Sequence, residues 1–210
     1  MNPVEMAMPA DDVVVQRITA VKGYQPYFQK AFGDPKVTMT RMAQAIASYE
    51  RSVVAGGSPY DRWAAGDRRA MGASAVRGME LFQGKANCQV CHAGFNFTDE
   101  SFHNLGVGMD RPKPDLGRYE QTKVDTDRGA FKTPTLRNVA LTAPYMHDGS
   151  EGTLHQVVDF YNKGGVRNPQ LSKEVKPLNL ADEEIDDLIT FLECLTGEVQ
   201  NADPPASLPQ

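Results

Sequence analysis

The segment Cys88-Gln89-Val90-Cys91-His92 constrains this chain more than any other part of its sequence. Two cysteines three positions apart bring two thiols within reach of the two vinyl groups of one haem. The adjacent imidazole then lies beneath the iron, and this CxxCH arrangement is typical of c-type haem attachment. The sequence therefore predicts one covalent haem c, held by Cys88 and Cys91, with His92 as an axial ligand of the iron.

Two other chemistries use paired cysteines, and the surrounding sequence favours neither. A zinc site needs a second pair of ligands at a suitable spacing. His103 and His147 are the downstream candidates, but neither has another cysteine or histidine three to five residues away. A redox-active dithiol of the thioredoxin type needs a βαβ pattern, which is absent from the sequence.

The second axial ligand of the iron is not fixed by the motif. Haem iron accepts Met, His or Tyr, and the choice sets its reduction potential. The downstream candidates are Met109, Met146, His147 and Tyr161. Tyr161 gains weight because its helix places it on an apolar face, where a phenol oxygen needs a partner. On the residues alone, these alternatives stay open.

The hydrophobic pattern is helical almost throughout and predicts no strand. Residues 93–138 are rich in Gly, Pro, Asp and Thr, and a loop of this length fits a chain that wraps around a bound group. We therefore expect an all-α protein with a cytochrome c-like domain around one haem and a partial helical domain at the N-terminus. The predicted helices span residues 10–21, 24–32, 38–54, 74–82, 154–163 and 182–196.

Length and charge exclude some classes of function. A net charge of −5 over 210 residues, without a cluster of Lys and Arg, argues against nucleic-acid binding. The aliphatic runs are too short for a membrane span. The N-terminus lacks the basic and apolar regions of a signal peptide. Because c-type haem is attached outside the cytoplasm, we expect a mature or truncated form of an exported, periplasmic protein.

Several segments resemble the bacterial di-haem cytochrome c peroxidase and MauG family. The most specific is the run FKTPTLRNVALTAPYMHDG, residues 131–149. Around the haem motif, LFQGK before it and FHN after it are also similar to the family. The resemblance extends from Asn2-Pro3-Val4-Glu5-Met6 through residues 49–67 to the last helix, and so covers nearly the whole chain.

This family resemblance implies two all-helical haem domains, of which the first is peroxidatic and the second relays electrons. The only CxxCH of this chain matches the second, so the sequence begins in the middle of the first domain. We expect residues 1–68 to be a remnant of the first domain, 69–200 the second domain, and 201–210 a disordered tail. Residues 1–68 are then loosely packed, or completed by another chain in a homodimer or by a missing N-terminal segment.

The resemblance also implies roles for individual residues. Cys88, Cys91 and His92 match the haem-binding residues, and Tyr161 falls where peroxidases of the family have a Met ligand and MauG-like members a Tyr. Glu5 matches the catalytic acid–base residue above the peroxidatic haem. The carbonyls of Thr142 and Pro144 match a calcium site between the domains. His103 and His147 match family positions too, where a structural hydrogen-bonding role is at least as good an interpretation.

The activity implied by the resemblance is reduction of hydrogen peroxide with electrons relayed through the haem on Cys88 and Cys91. A second haem is expected in the intact protein. The donor would be a small cytochrome c or a cupredoxin, and a MauG-like variant would oxidise a side chain of a protein substrate. The alternative is a stand-alone, single-haem electron carrier without catalysis, which fits the single motif.

Overall fold

The computed structural model describes residues 10–200 and 205–210, and these form two compact units. The smaller unit takes the described residues of Met1–Val54 and Val199–Gln210, and the larger unit is Ala55–Glu198. Glu5 lies outside the described residues. No helix among residues 10–200 and 205–210 is long and apolar enough to cross a membrane.

Between residues 10 and 54, the smaller unit contains three α-helices, α1 (Asp11–Ala20), α2 (Gln25–Phe32) and α3 (Met39–Glu50). The hydroxyl of Thr38 caps α3 by accepting a hydrogen bond from the Arg41 amide. The helix predicted over residues 38–54 ends earlier than expected, at Glu50. One face of α3 remains open in this unit, since Ile46 is 59% exposed and Tyr49 is 52% exposed.

The larger unit is built on the crossing of two helices. The two helices are α5 (Ala73–Gln83) and α8 (Asp182–Glu193). The other α-helices of this unit are α4 (Pro59–Ala64), α6 (Tyr119–Thr122) and α7 (Leu154–Asn162). Phe82 of α5 packs edge-on against Phe191 of α8, with ring centroids 5.2 Å apart. Gly78, one turn before Phe82, lies against the backbone of Asp187 and next to Phe191 of α8.

The described residues include four strands of three residues each, which corrects the expectation that the chain has no strand. β2 (Phe102–Asn104) and β3 (Ala130–Lys132) pair antiparallel, with His103 opposite Phe131. β1 (Val54–Gly56) pairs with β4 (Glu198–Gln200) in a second two-stranded sheet. Three residues are too few to produce a readable alternation of apolar and polar side chains. The all-α class is otherwise confirmed, because helices supply nearly all of the regular structure.

Candidate haem site

Shortly after the end of α5 at Gln83, Cys88 begins a 3-10 turn over Cys88–Val90, and Cys91 follows this turn directly. The turn is closed by the amide of His92, which donates to the carbonyl of Cys88 at 2.9 Å. Both cysteines are free thiols. Burial raises the pKa of Cys88 to about 12 and also raises the pKa of Cys91, where Asp99 and Glu174 add to the effect. At pH 7 both side chains are therefore neutral thiols.

The imidazole of His92 is fixed through one of its two nitrogens. Nδ1 lies 2.9 Å from the carbonyl oxygen of Phe97, and a carbonyl can only accept, so Nδ1 carries the proton. Burial lowers the pKa of His92, against the opposing effect of the Phe97 and Pro134 carbonyls. A neutral ring protonated at Nδ1 presents the lone pair of Nε2, which is the form that ligates a metal.

Tyr161 lies near both cysteines, although it is about 70 residues away in sequence. It belongs to the last turn of α7, whose start is fixed by a capping box between Thr153 and Gln156. Burial raises the pKa of the Tyr161 phenol, and the neighbouring Cys88 and Cys91 raise it further. Among the described residues, the phenol oxygen has no hydrogen-bond partner.

These four side chains fit a covalent haem. Two thiols, an imidazole nitrogen free to ligate and a phenol without a hydrogen-bond partner in the described part of the chain form one group of donors. Thioether links, a proximal His and a Tyr ligand are all used by haem proteins. The structure thus brings together the residues that the sequence analysis assigned to the haem, and their roles as ligands remain a proposal.

The two methionines considered as ligands lie in loops. The sulphur of Met109 packs next to the backbone at Gly129, beside the amide of Asn104. Met146 is half-buried in the turn between Tyr145 and Glu151, with φ of +68°. Their positions supply no argument for either as an iron ligand.

The two histidines that match family positions have structural partners in the described part of the chain. Nε2 of His103 donates to Asp99 at 2.7 Å. Burial works to raise the pKa of Asp99, but hydrogen bonds from His103 and Ser101 outweigh this effect and lower the pKa to about 2. His147 stacks on Phe131, with ring centroids 3.6 Å apart. His103 and Asp99 lie close enough to Cys91 for the three to share a metal ion, but that thiol is the one assigned to the haem.

Thr142 and Pro144, the expected calcium ligands, lie in an exposed loop after a 3-10 turn over Val139–Leu141. The Thr142 hydroxyl donates to the Val139 carbonyl at 3.1 Å. Among the described residues, the carbonyls of Thr142 and Pro144 accept no hydrogen bond. Both oxygens are therefore accessible to a cation.

The site also contains residues that the sequence analysis missed. The acceptor of the His92 proton is the carbonyl of Phe97, five residues further along. The loop that carries it is bound by Thr135 and Arg137. Both residues lie in the run that resembles the family, but their partners are about 40 positions away, and no local pattern reveals such a contact.

Two family profiles match different parts of this chain. The sequence profile described as di-haem cytochrome c peroxidase matches residues 1–69. The cytochrome c profile matches residues 75–196.

Curated relatives include a methylamine utilization protein MauG from Methylorubrum extorquens, 46% identical over 93% of this chain and 55% of its own length. The cytochrome-c peroxidase IdrP1 of Denitromonas iodatirespirans is 39% identical over 86% of this chain and 56% of its own length. The chain thus spans little more than half the length of these relatives.

Solved structures are similar to this chain over most of its length. A MauG-like protein associated with microbial copper homeostasis is 31% identical, with a TM-score of 0.73 over 90% of this chain and 62% of its own. The di-haem peroxidase BthA from Burkholderia thailandensis shares the fold at 21% identity, with a TM-score of 0.69 over 93% of this chain and 61% of its own. The chain therefore belongs to the cytochrome c family, and it is similar to di-haem cytochrome c peroxidases and MauG proteins over most of its length.

Proposed function

We propose that this chain is the electron-relaying part of a di-haem oxidoreductase that reduces hydrogen peroxide. Cys88 and Cys91 would hold one haem c, with His92 and Tyr161 as axial ligands, and this haem would supply one-electron redox chemistry. The observation that carries the proposal is the proximity of Tyr161 to both cysteines, together with the Nδ1-protonated state of His92.

The protein's part in this chemistry is to control the two ligands. The Phe97 carbonyl holds the proton of His92 on Nδ1 and thereby makes Nε2 the donor. Tyr161 must lose its proton to ligate as a phenolate, which burial opposes. A phenolate is a harder donor than a thioether and stabilises ferric iron relative to ferrous iron. This chemistry favours the MauG-like branch of the family over members that use a Met ligand.

Peroxide would be reduced at a second haem of the longer protein. Two electrons and two protons convert one peroxide into two waters. We assign residues 1–68 to part of that peroxidatic domain, and the profile match to residues 1–69 supports this assignment. Glu5 would carry protons between the peroxide oxygens, as a carboxylate of suitable pKa can. In a MauG-like variant, the electrons would come from a side chain of a protein substrate.

The proposal also includes a cellular compartment, an electron donor and a calcium ion. Covalent haem attachment points to the periplasm, where a small cytochrome c or a cupredoxin would donate electrons. A calcium ion would bind at the carbonyls of Thr142 and Pro144, because hard oxygen ligands suit this ion. Removal of calcium with a chelator would then change the haem spectrum or the peroxide turnover, and neither would change if the site binds no calcium.

Haem content tests the first step of the proposal. The pyridine haemochrome of the chain, expressed in cells that mature cytochromes c, should give one haem c per chain. Cys88→Ala and Cys91→Ala should each lose a thioether link. The matched control is Cys194→Ala, because Cys194 is a free thiol outside the motif. Wild-type protein without covalent haem would contradict the proposal.

Peroxide turnover separates the enzyme from a stand-alone electron carrier. The longer protein, loaded with both haems, should oxidise a reduced donor in the presence of hydrogen peroxide at a steady rate. A carrier would give up only the one electron stored on its own haem. A longer protein with a single haem and no steady-state turnover would favour the carrier, to which the cytochrome c match over residues 75–196 applies equally.

A further inference from the structure

Three consecutive carbonyls beside the haem motif each accept a hydrogen bond from a different side chain. Nε of Arg137 donates to Phe95 at 2.8 Å, and the hydroxyl of Thr135 donates to Asn96 at 2.5 Å. Nδ1 of His92 donates to Phe97 at 2.9 Å. The short loop 95–97 is thus held on one side by Thr135 and Arg137 and presents its last carbonyl to the proximal histidine.

Arg137 is fixed more firmly than a surface arginine. Its side chain is only 4% exposed and pairs with both oxygens of Asp61, at 3.0 and 3.1 Å. Its guanidinium also stacks over the Phe95 ring, 4.1 Å from the centroid. A guanidinium held by two parallel hydrogen bonds has little freedom to turn. Its third donor, Nε, therefore keeps a fixed position against the loop.

Asp61 is held in place in turn. It lies in the first turn of α4 and accepts a hydrogen bond from the amide of Ser58, which is completely buried. Burial works to raise the pKa of Asp61, but hydrogen bonds from Arg137 and Ser58 outweigh it and lower the pKa. Asp61 is therefore ionised at pH 7, as a partner for the buried cation of Arg137 should be.

The conformation of Phe97 depends on these restraints. Its φ of +52° lies in the left-handed region, which is unfavourable for a bulky side chain. Its buried ring packs edge-on against Tyr60 and Phe82. A backbone conformation of this kind persists where the surrounding structure over-determines it. The ring and the neighbouring carbonyls together fix the direction of the Phe97 carbonyl.

We infer that Asp61, Arg137 and Thr135 are positioning residues that set the hydrogen bond from His92 to Phe97, and through it the reduction potential of the haem. This inference rests on the proposed function. A stronger hydrogen bond at Nδ1 makes the imidazole a better electron donor, which stabilises ferric iron. Loosening the loop therefore weakens the hydrogen bond and raises the potential.

Arg137→Met and Thr135→Val remove the two donors that hold the loop. Changes in the outer shell of a metal site alter its properties by about 10-fold or more. We therefore expect Arg137→Met to shift the ferric–ferrous equilibrium by roughly 10-fold toward ferrous iron, equivalent to about 59 mV for one electron. Thr135→Val should shift it less in the same direction, and Thr135→Ser, which keeps the hydroxyl, should retain the wild-type potential.

Arg77→Met is the matched control for the loss of a two-pronged arginine–aspartate ion pair. Arg77 binds both oxygens of Asp187, at 2.6 and 2.7 Å, in the same unit of the protein. Among the described residues, Arg77 makes no hydrogen bond to loop 95–97. Both arginine variants should lower the thermal stability, but only Arg137→Met should change the midpoint potential and the electron paramagnetic resonance of the ferric haem.

The measurement is a redox titration of each purified, haem-loaded chain. Higher potentials in Arg137→Met and Thr135→Val, with Arg77→Met at the wild-type value, support the inference. Wild-type potentials in both loop variants, or an equal shift in Arg77→Met, overturn it. If Arg137→Met does not fold, the comparison of Thr135→Val with Thr135→Ser decides alone. A wild-type chain without haem would instead overturn the proposed function.

Discussion

Gly78 of α5 contacts the backbone of Asp187 in α8 so closely that no other residue fits at this position. A β-carbon on Gly78 would overlap the carbonyl oxygen of Asp187 and lie 2.9 Å from the β-carbon of Phe191. The two helices can therefore cross at this distance only because residue 78 has no side chain. This crossing forms the core that supports the haem motif, since α5 leads directly into Cys88.

Gly78→Ala should destabilise the protein more than an ordinary glycine substitution in a helix. The added methyl group meets the backbone of α8, which cannot rotate away, and such overpacking costs about 1–3 kcal/mol or more. Gly72→Ala is the control, because a β-carbon there meets nothing within 4 Å. Urea denaturation should show a much lower midpoint for Gly78→Ala than for Gly72→Ala, and equal midpoints would contradict the close crossing.

Phe82→Ala should lower the free energy of unfolding by roughly 3–5 kcal/mol, the usual range for removal of a buried aromatic ring. The Phe82 side chain is buried and packs edge-on against both Phe97 and Phe191. Leu141→Ala serves as the comparison, because Leu141 is mostly exposed and its truncation should change stability by less than about 0.5 kcal/mol. Unchanged thermal stability in Phe82→Ala would show that the ring does not close the core.

Asp187 should make the stability of the larger unit depend on pH. Hydrogen bonds from Arg77 and Ser74 lower its pKa below that of an aspartate in the unfolded chain. A group with a lowered pKa contributes stability above its unfolded pKa, about 4, and loses that contribution as the pH falls through its folded pKa. Asp187→Asn should therefore destabilise the protein at pH 7, and less so as the pH falls below about 4.

Unfolding curves of wild type and Asp187→Asn at several pH values measure this effect. The difference between the two proteins should shrink steadily below pH 4. A difference that stays constant from pH 7 to pH 3 would mean that the charge of Asp187 contributes nothing. Glu183→Gln provides the control, because Glu183 lies in the first turn of the same helix with an exposed side chain.

The motif and the long helices were predictable because their signals are local. The CxxCH spacing predicts the haem attachment, and the spacing of apolar residues along α7 favours Tyr161 as a ligand but leaves the other candidates open. The capping box of Thr153 and Gln156 gives the start of this helix correctly. Helix ends were less predictable. The last helix ends at Glu193 rather than at Thr196, because the backbone amides after Glu193 donate to carbonyls three residues earlier, as in a 3-10 turn.

The network around His92 was not predictable, since it depends on contacts between distant segments. Asp61 and Arg137 are 76 positions apart and pair only when α4 meets the loop after β3. Phenylalanine normally avoids the left-handed region, so the sequence gives no sign that Phe97 adopts it. Such positions are fixed by tertiary structure, and a pattern of local spacing carries no information about them.

The most direct test of the account is the absorption spectrum of the ferric, haem-loaded chain with and without the Tyr161 hydroxyl. Tyr145→Phe is the matched control, because the Tyr145 hydroxyl donates to the Val139 carbonyl, outside the group of haem donors. We expect Tyr161→Phe to change the ferric spectrum and raise the midpoint potential, while Tyr145→Phe leaves both as in wild type. A methionine–iron charge-transfer band that survives Tyr161→Phe would contradict the account and make Met109 or Met146 the ligand.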